Sequence, residues 1–118
     1  MSRQEYRRAD RYDVPDTVQV VDTMTDLVVG RLGNISETGM LLIACAPLVD
    51  DALYQFRLEI GDARGEAIEL GAHLLWQDQA SAAGQAWMGF RFIKVLDEHA
   101  RPLRDWLQSL AARVQPGR

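Results

Sequence analysis

Apolar residues recur along this chain with two different periods, and the change from one to the other divides it. From Thr17 the sequence runs in short stretches rich in β-branched residues, TVQVVDTM, LVVGRLGNI and MLLIAC. Polar or glycine-containing breaks separate them, a pattern suited to pleated strands joined by turns. The alternation then becomes stricter. Tyr54, Phe56, Leu58 and Ile60 share one parity while Gln55, Arg57 and Glu59 take the other, so one face of that strand is expected to be buried and the other wet. After GDARG the same period places Ile68, Leu70, Ala72, Leu74 and Trp76 on one face of a longer strand, and Met88, Phe90 and Phe92 repeat it. The small polar stretch DQASAAG, between Gln77 and Gln85, reads as the tip of a hairpin joining those last two strands. Near the end the period lengthens: Leu103, Trp106, Leu107 and Leu110 fall at helical spacing, with Arg104, Asp105 and Gln108 outside. Pro102 suits the first turn of that helix and Pro116-Gly117 its termination.

About six short strands with no helix between them cannot make a doubly wound parallel sheet, because each parallel crossover needs a dozen or more residues. The economical solution is a mainly β fold: a six-stranded antiparallel barrel over residues 14–95, closed so that no sheet edge is left exposed, with a C-terminal helix over 97–114 packed on it. Residues 1–13 carry no sustained apolar periodicity and precede Pro15, so they are expected to form a flexible arm. A single domain spanning 1–118 follows, since 118 residues of which 47% are hydrophobic suffice for one core.

The lone Cys45 cannot form an internal disulfide, and its place in the apolar run MLLIACA suggests a buried structural thiol. The N-terminus MSRQEYRRADR is polar, and no apolar stretch approaches the roughly 18 residues of a membrane span. A cytoplasmic protein without membrane insertion is expected. The formal net charge of -4 disfavours general nucleic-acid binding. The charge is unevenly spread, however: Arg3, Arg7, Arg8 and Arg11 lie within the first eleven residues, opposed there only by Glu5 and Asp10.

Two clusters carry candidate chemistry. Arg7-Arg8-Ala9-Asp10-Arg11 is an RxxxR with an additional arginine inside it. Guanidinium forks pair bidentately with phosphate and stack on flat rings, so an arginine arm can grip both parts of a nucleotide. Of the thirteen basic residues only Lys94 is lysine, so general arginine usage competes with that reading at any one position. Asn34-Ile35-Ser36-Glu37-Thr38-Gly39 is an NxSxxG between two expected strands. Its short polar side chains can bond base edges, phosphate or backbone, and Gly39 permits positive φ or a close backbone approach. Taken alone, an Asx or Ser turn is the simpler explanation.

Together, in this order, the two clusters resemble the signature of the PilZ domain family. The likeness extends to GAHLLW (Gly71 to Trp76) and MGFRF (Met88 to Phe92), which are similar to the family's strand leading to a tryptophan and to the glycine-aromatic strand after it. Asn34 stands where the signature often has Asp, and Thr38 where many members have Gly. The resemblance implies a bacterial receptor for the second messenger cyclic di-GMP, not an enzyme, with an arginine arm that wraps the ligand against a barrel. Arg7 and Arg11 would then contact guanine and phosphate, Arg8 would add a contact, and Asn34, Ser36 and Gly39 would form the base-recognising turn. The guanine O6 and N7 acceptors suit an arginine fork. With no output domain in the chain, the signal would pass to a downstream protein partner in motility, exopolysaccharide, biofilm or virulence control, from a monomer or weak dimer.

Other residues are read as structural. Trp76 is placed in the core by its parity, with stacking on a guanine near the barrel mouth as the alternative; Trp87 is a weaker candidate for the same role. His73 and His99 lack partners at metal-ligand spacing and are expected to be solvated, so neither a metal nor a further cofactor is expected. The acidic pairs Asp50-Asp51 and Asp97-Glu98 fit turns and a helix start. The competing class is a PilZ-like interaction adaptor that ignores nucleotide; an arginine-arm nucleic-acid binder is disfavoured by the charge.

Overall fold

The fold is seen in a computed structural model that describes residues 10–14, 17–60, 67–79 and 84–114. Its elements are β1 (Tyr12–Asp13), β2 (Gln19–Asp22), β3 (Leu27–Ile35), β4 (Gly39–Ala44), β5 (Leu53–Glu59), β6 (Ile68–Gln79), β7 (Ala86–Val95) and α1 (Asp97–Val114). All strand pairings are antiparallel, and the sheet order β3-β2-β5-β6-β7-β4 returns to β3 through the β3–β4 pairing. Six strands therefore form a closed barrel, and every barrel strand has both edges paired. The seventh, β1, pairs with β3 at Tyr12↔Ile35 and Asp13↔Asn34. Since β4 holds the other edge of β3 at those residues, β1 lies on the same edge as β2 and prolongs its line.

The interior is filled by the alternation itself. Val20, Leu42, Phe56, Leu58, Ile68, Leu70, Leu74 and Phe90 are fully or almost fully buried, and full burial of a side chain of this size stabilises by about 1.5–3 kcal/mol. Phe56 lies edge-on to Phe90, with centroids 5.2 Å apart, and stacks on Tyr54 at 5.4 Å. α1 buries Leu103, Leu107 and Leu110 and packs against β1 and β6. Its first turn carries Asp97 and Glu98, whose charge suits a helix N-terminus. Pro102 lies inside the helix, not in its first turn, so its ring removes the hydrogen bond that an ordinary residue would give to Glu98 O.

Several expectations from the sequence change. Tyr12 and Asp13 are paired with β3 and do not belong to a flexible arm. β6 and β7 stay paired out to Gln79↔Ala86, so Asp78 and Gln79 are strand and not hairpin tip. β2 stops at Asp22, because Asp22 Oδ1 accepts from the Met24 N–H and its carbonyl from Asp26 N–H, turning the chain before Met24. Cys45 is exposed: β4 ends with Ala44 facing inward, and the next residue points out while its N–H donates to Val29 O at 2.8 Å. The histidines are engaged, not solvated. His73 Nε2 meets Asp51 Oδ1 at 2.6 Å, tying the β4–β5 loop to β6, and Glu69 N–H donates to His99 Nδ1 at 3.2 Å, tying β6 to α1.

Candidate ligand-binding site

Two β-bulges shape the outer wall of the barrel. In β3 the pairing with β4 skips Gly33, and in β6 the pairing with β7 skips Leu75. A bulge inserts one residue and so reverses which parity faces the core. Leu32 points inward, and after the extra Gly33 it is Asn34 that faces out; Leu74 is fully buried, while Leu75 and Trp76 are 52% and 48% exposed. Trp76 is thus not the core residue its parity suggests.

The register aligns the two re-aimed side chains. Asp13, Asn34, Leu41, Gly89 and Trp76 are successive cross-strand partners on β1, β3, β4, β7 and β6. At the usual strand spacing, three steps separate the Asn34 and Trp76 backbones by about 14 Å. The side chains close much of that gap. Arg11, immediately before β1, donates from Nη1 to Asn34 Oδ1 at 2.8 Å. From the other end the Trp76 indole lies over Gly89, where a Cβ would come within 2.2 Å of Nε1. Between them is a cavity of about 330 Å³, lined by Arg11, Asn34, Met40, Leu41, Leu75, Trp76, Trp87, Gly89 and Phe90. That is near the lower end of the roughly 300–1,000 Å³ usual for ligand pockets.

Beside this row, Ser36 to Gly39 join β3 to β4. Ser36 N–H donates to Gly39 O at 2.9 Å, and Ser36 Oγ accepts from the Thr38 and Gly39 N–H groups at 3.1 and 3.2 Å. Ser36 is only 1% exposed, and its hydroxyl holds the turn that the resemblance assigns to base recognition. Gly39 is needed for close approach: a Cβ there would lie 2.3 Å from Phe90 O on β7.

Residues 2–110 match the family model for the PilZ domain. The chain belongs to the PilZ domain family. No curated protein sequence matches it significantly. Among solved structures, the inhibitor of motility MotI/DgrA from Bacillus subtilis superposes with a TM-score of 0.70 at 16% identity, covering 100% of this chain and 54% of that one. The PilZ domain of YcgR from Escherichia coli, solved with c-di-GMP, gives a TM-score of 0.69 at 18% identity over 92% of this chain and 94% of that one. YcgR from the same organism in complex with c-di-GMP gives 0.68 at 20%, covering 92% and 47%. The chain thus spans about half the length of MotI/DgrA, and these likenesses establish the barrel.

Within this PilZ domain, Arg11 and Asn34 are brought into direct contact, with Trp76 across the same cavity. Ser36 and Gly39 build the adjoining turn, and Arg7 and Arg8 lie outside the described residues. Trp87, Leu75 and Gly89 are lining residues that a strict period of two did not single out. Among the described residues no group of three or more His, Cys, Asp or Glu is placed to hold a metal ion, and no helix is long and apolar enough to cross a membrane.

The Trp76–Gly89 contact yields a separable prediction. Gly89→Ala would drive its Cβ into the indole, and a half-exposed side chain can swing away while the barrel backbone stays put. The expected result is a melting temperature within about 4 °C of the parent, a change of no more than about 1 kcal/mol, with indole emission altered by greater exposure. Thermal unfolding and fluorescence measured on the same sample check both parts.

Proposed function

We propose that this PilZ domain is a receptor for cyclic di-GMP, and that Arg7, Arg8 and Arg11 together with the Asn34-to-Gly39 turn hold the ligand on the outer wall of the barrel. The observation that carries the reading is the meeting of Arg11, Asn34 and Trp76 at one cavity. Each supplies what the ligand's chemistry asks for. Guanidinium groups answer the two phosphates and the guanine O6 and N7 acceptors. Because arginine can only donate, Arg11 holds the Asn34 carboxamide with its oxygen toward the guanidinium and leaves the NH₂ donors for a base acceptor. Trp76 offers an aromatic face for stacking. Ser36 acts through the turn and Gly39 by letting β4 close on β7.

Ordering the arm costs roughly 1–2 kcal/mol per residue in backbone entropy, so several arginine contacts are needed to offset it, and arm order becomes conditional on ligand. β1, the root of the arm, pairs with β3 beside Asn34 and packs against α1. Arm closure would therefore alter a surface built from the arm, β1 and α1, which a downstream protein partner reads in the control of motility, exopolysaccharide, biofilm or virulence. The protein acts in the cytoplasm without catalysing a reaction and takes no metal or cofactor.

Isothermal titration of cyclic di-GMP into the full chain tests the receptor reading, with GMP and cyclic AMP as competitors. Saturable heat in the micromolar range or tighter, unaffected by the mononucleotides, is the expected result. Absence of heat at millimolar ligand would leave a PilZ interaction module and contradict the proposal.

A further inference from the structure

We infer that Trp87 is a second base-stacking residue of this site, a conclusion that rests on the proposed binding of cyclic di-GMP. Trp87 lies on β7 two residues before Gly89, on the same outer face, because Met88 and Phe90 point into the core. Two residues along a strand is a displacement of about 6.8 Å, so Trp87 begins the row next to the one that joins Asn34 to Trp76. Its cross-strand partners are Ile43 on β4 and Asp78 on β6. It lines the same cavity as Arg11, Asn34 and Trp76, and it is 45% exposed.

On its β4 side Trp87 has apolar neighbours where an outer strand face is ordinarily polar, while its β6 partner is the exposed Asp78. Leu41 and Ile43 are half-buried side chains of that face, close to Gly33, where a Cβ would come within 3.3 and 3.4 Å of them. Beside this floor stand two indoles, each nearly half exposed, with the Arg11 guanidinium at the Asn34 end. Contiguous exposed apolar surface rimmed by polar groups marks a contact site. A flat, weakly polar ring attached to an anion fits this wall: the ring covers indole surface while its phosphate meets arginine. One tryptophan offers area for one purine face, and cyclic di-GMP carries two purines. Trp87 extends the stacking surface along β7, so the site takes up more purine area than Trp76 alone could cover.

The test compares cyclic di-GMP affinity in the full-length parent, Trp87→Leu and Trp87→Phe, with the Trp87 indole N–H resonance of the unsubstituted protein followed in parallel. Loss of one base-aromatic stack should weaken binding of the leucine variant about tenfold, and phenylalanine should restore most of it. The indole resonance should shift with saturation. If the parent binds while the leucine variant keeps parental affinity, or the resonance does not move, Trp87 is not in the site and the receptor reading stands without it. If the parent itself fails to bind, both conclusions fall together.

Discussion

Arg7→Ala combined with Arg11→Ala is expected to weaken cyclic di-GMP binding by at least about a hundredfold, on the basis that each hydrogen bond to a charged group contributes about 1.5–3 kcal/mol. The loss at Arg11 has a second component. Its Nη1 bond orients the Asn34 carboxamide at 2.8 Å, and without that donor the amide is free to turn its oxygen toward the acceptors of a guanine. On the proposed mechanism the Arg7 contact also helps to offset the entropy of ordering the chain on the ligand, so its removal leaves that cost with less to oppose it. The barrel core lies elsewhere, in residues such as Phe56, Leu70 and Phe90. Titration calorimetry and thermal unfolding of the same preparation should therefore show lost binding with an unchanged melting temperature. A variant that binds as the parent does would remove the arm from the mechanism.

Gly39→Ala should act in the opposite order, on the fold before the ligand. The new Cβ would lie 2.3 Å from Phe90 O, a backbone atom of the neighbouring strand, so relief requires β4 and β7 to part. That movement strains the Gly39↔Arg91 pair and the Phe92 N–H bond to Thr38 O at 2.8 Å. Overpacking of this kind costs about 3 kcal/mol, at the upper end of the usual range, which lowers the melting temperature by roughly 10–15 °C in a domain of this size. Ligand affinity falls as well, because the turn held by Ser36 Oγ moves with Gly39. Gly89→Ala is the control: its clash is with an indole and not with backbone, so binding and stability part company there.

The contrast between these two glycines indicates what the sequence makes legible. Alternation identified the strands whose side chains fill the barrel, because inward residues such as Phe56, Leu58 and Leu70 obey a period of two without interruption. The apolar stripe Leu103, Leu107 and Leu110 located the buried face of α1 for the same reason. The period misleads where the backbone slips. Nothing in GAHLLW marks Leu75 as the bulged residue, so Trp76 counts as core by parity and lies outside in fact. Cys45 shows the same limit at a strand end, where an apolar run continues past the last inward residue.

The site was legible as residue types and only partly as roles. Asn34 and Arg11 were recognisable from their clusters, and they meet. Ser36 was expected to help form a base-recognising turn; that its hydroxyl accepts from the N–H groups two and three residues on is a local bonding pattern that a motif does not display. Trp87 was a weak stacking candidate and Gly89 a landmark in MGFRF, but their place on one wall with Asn34 emerged only through register, once β7 is set against β4 and β6.

The claim that the outer wall of the barrel is a nucleotide site is tested most directly by following backbone and side-chain amide resonances of the full chain during titration with cyclic di-GMP. The account predicts saturable shifts concentrated at Arg11, Asn34, Ser36 to Gly39 and Gly89, and at the Trp76 indole, with β5 little changed. Shifts centred on β5 or on the solvent face of α1, or none at millimolar ligand, would contradict it.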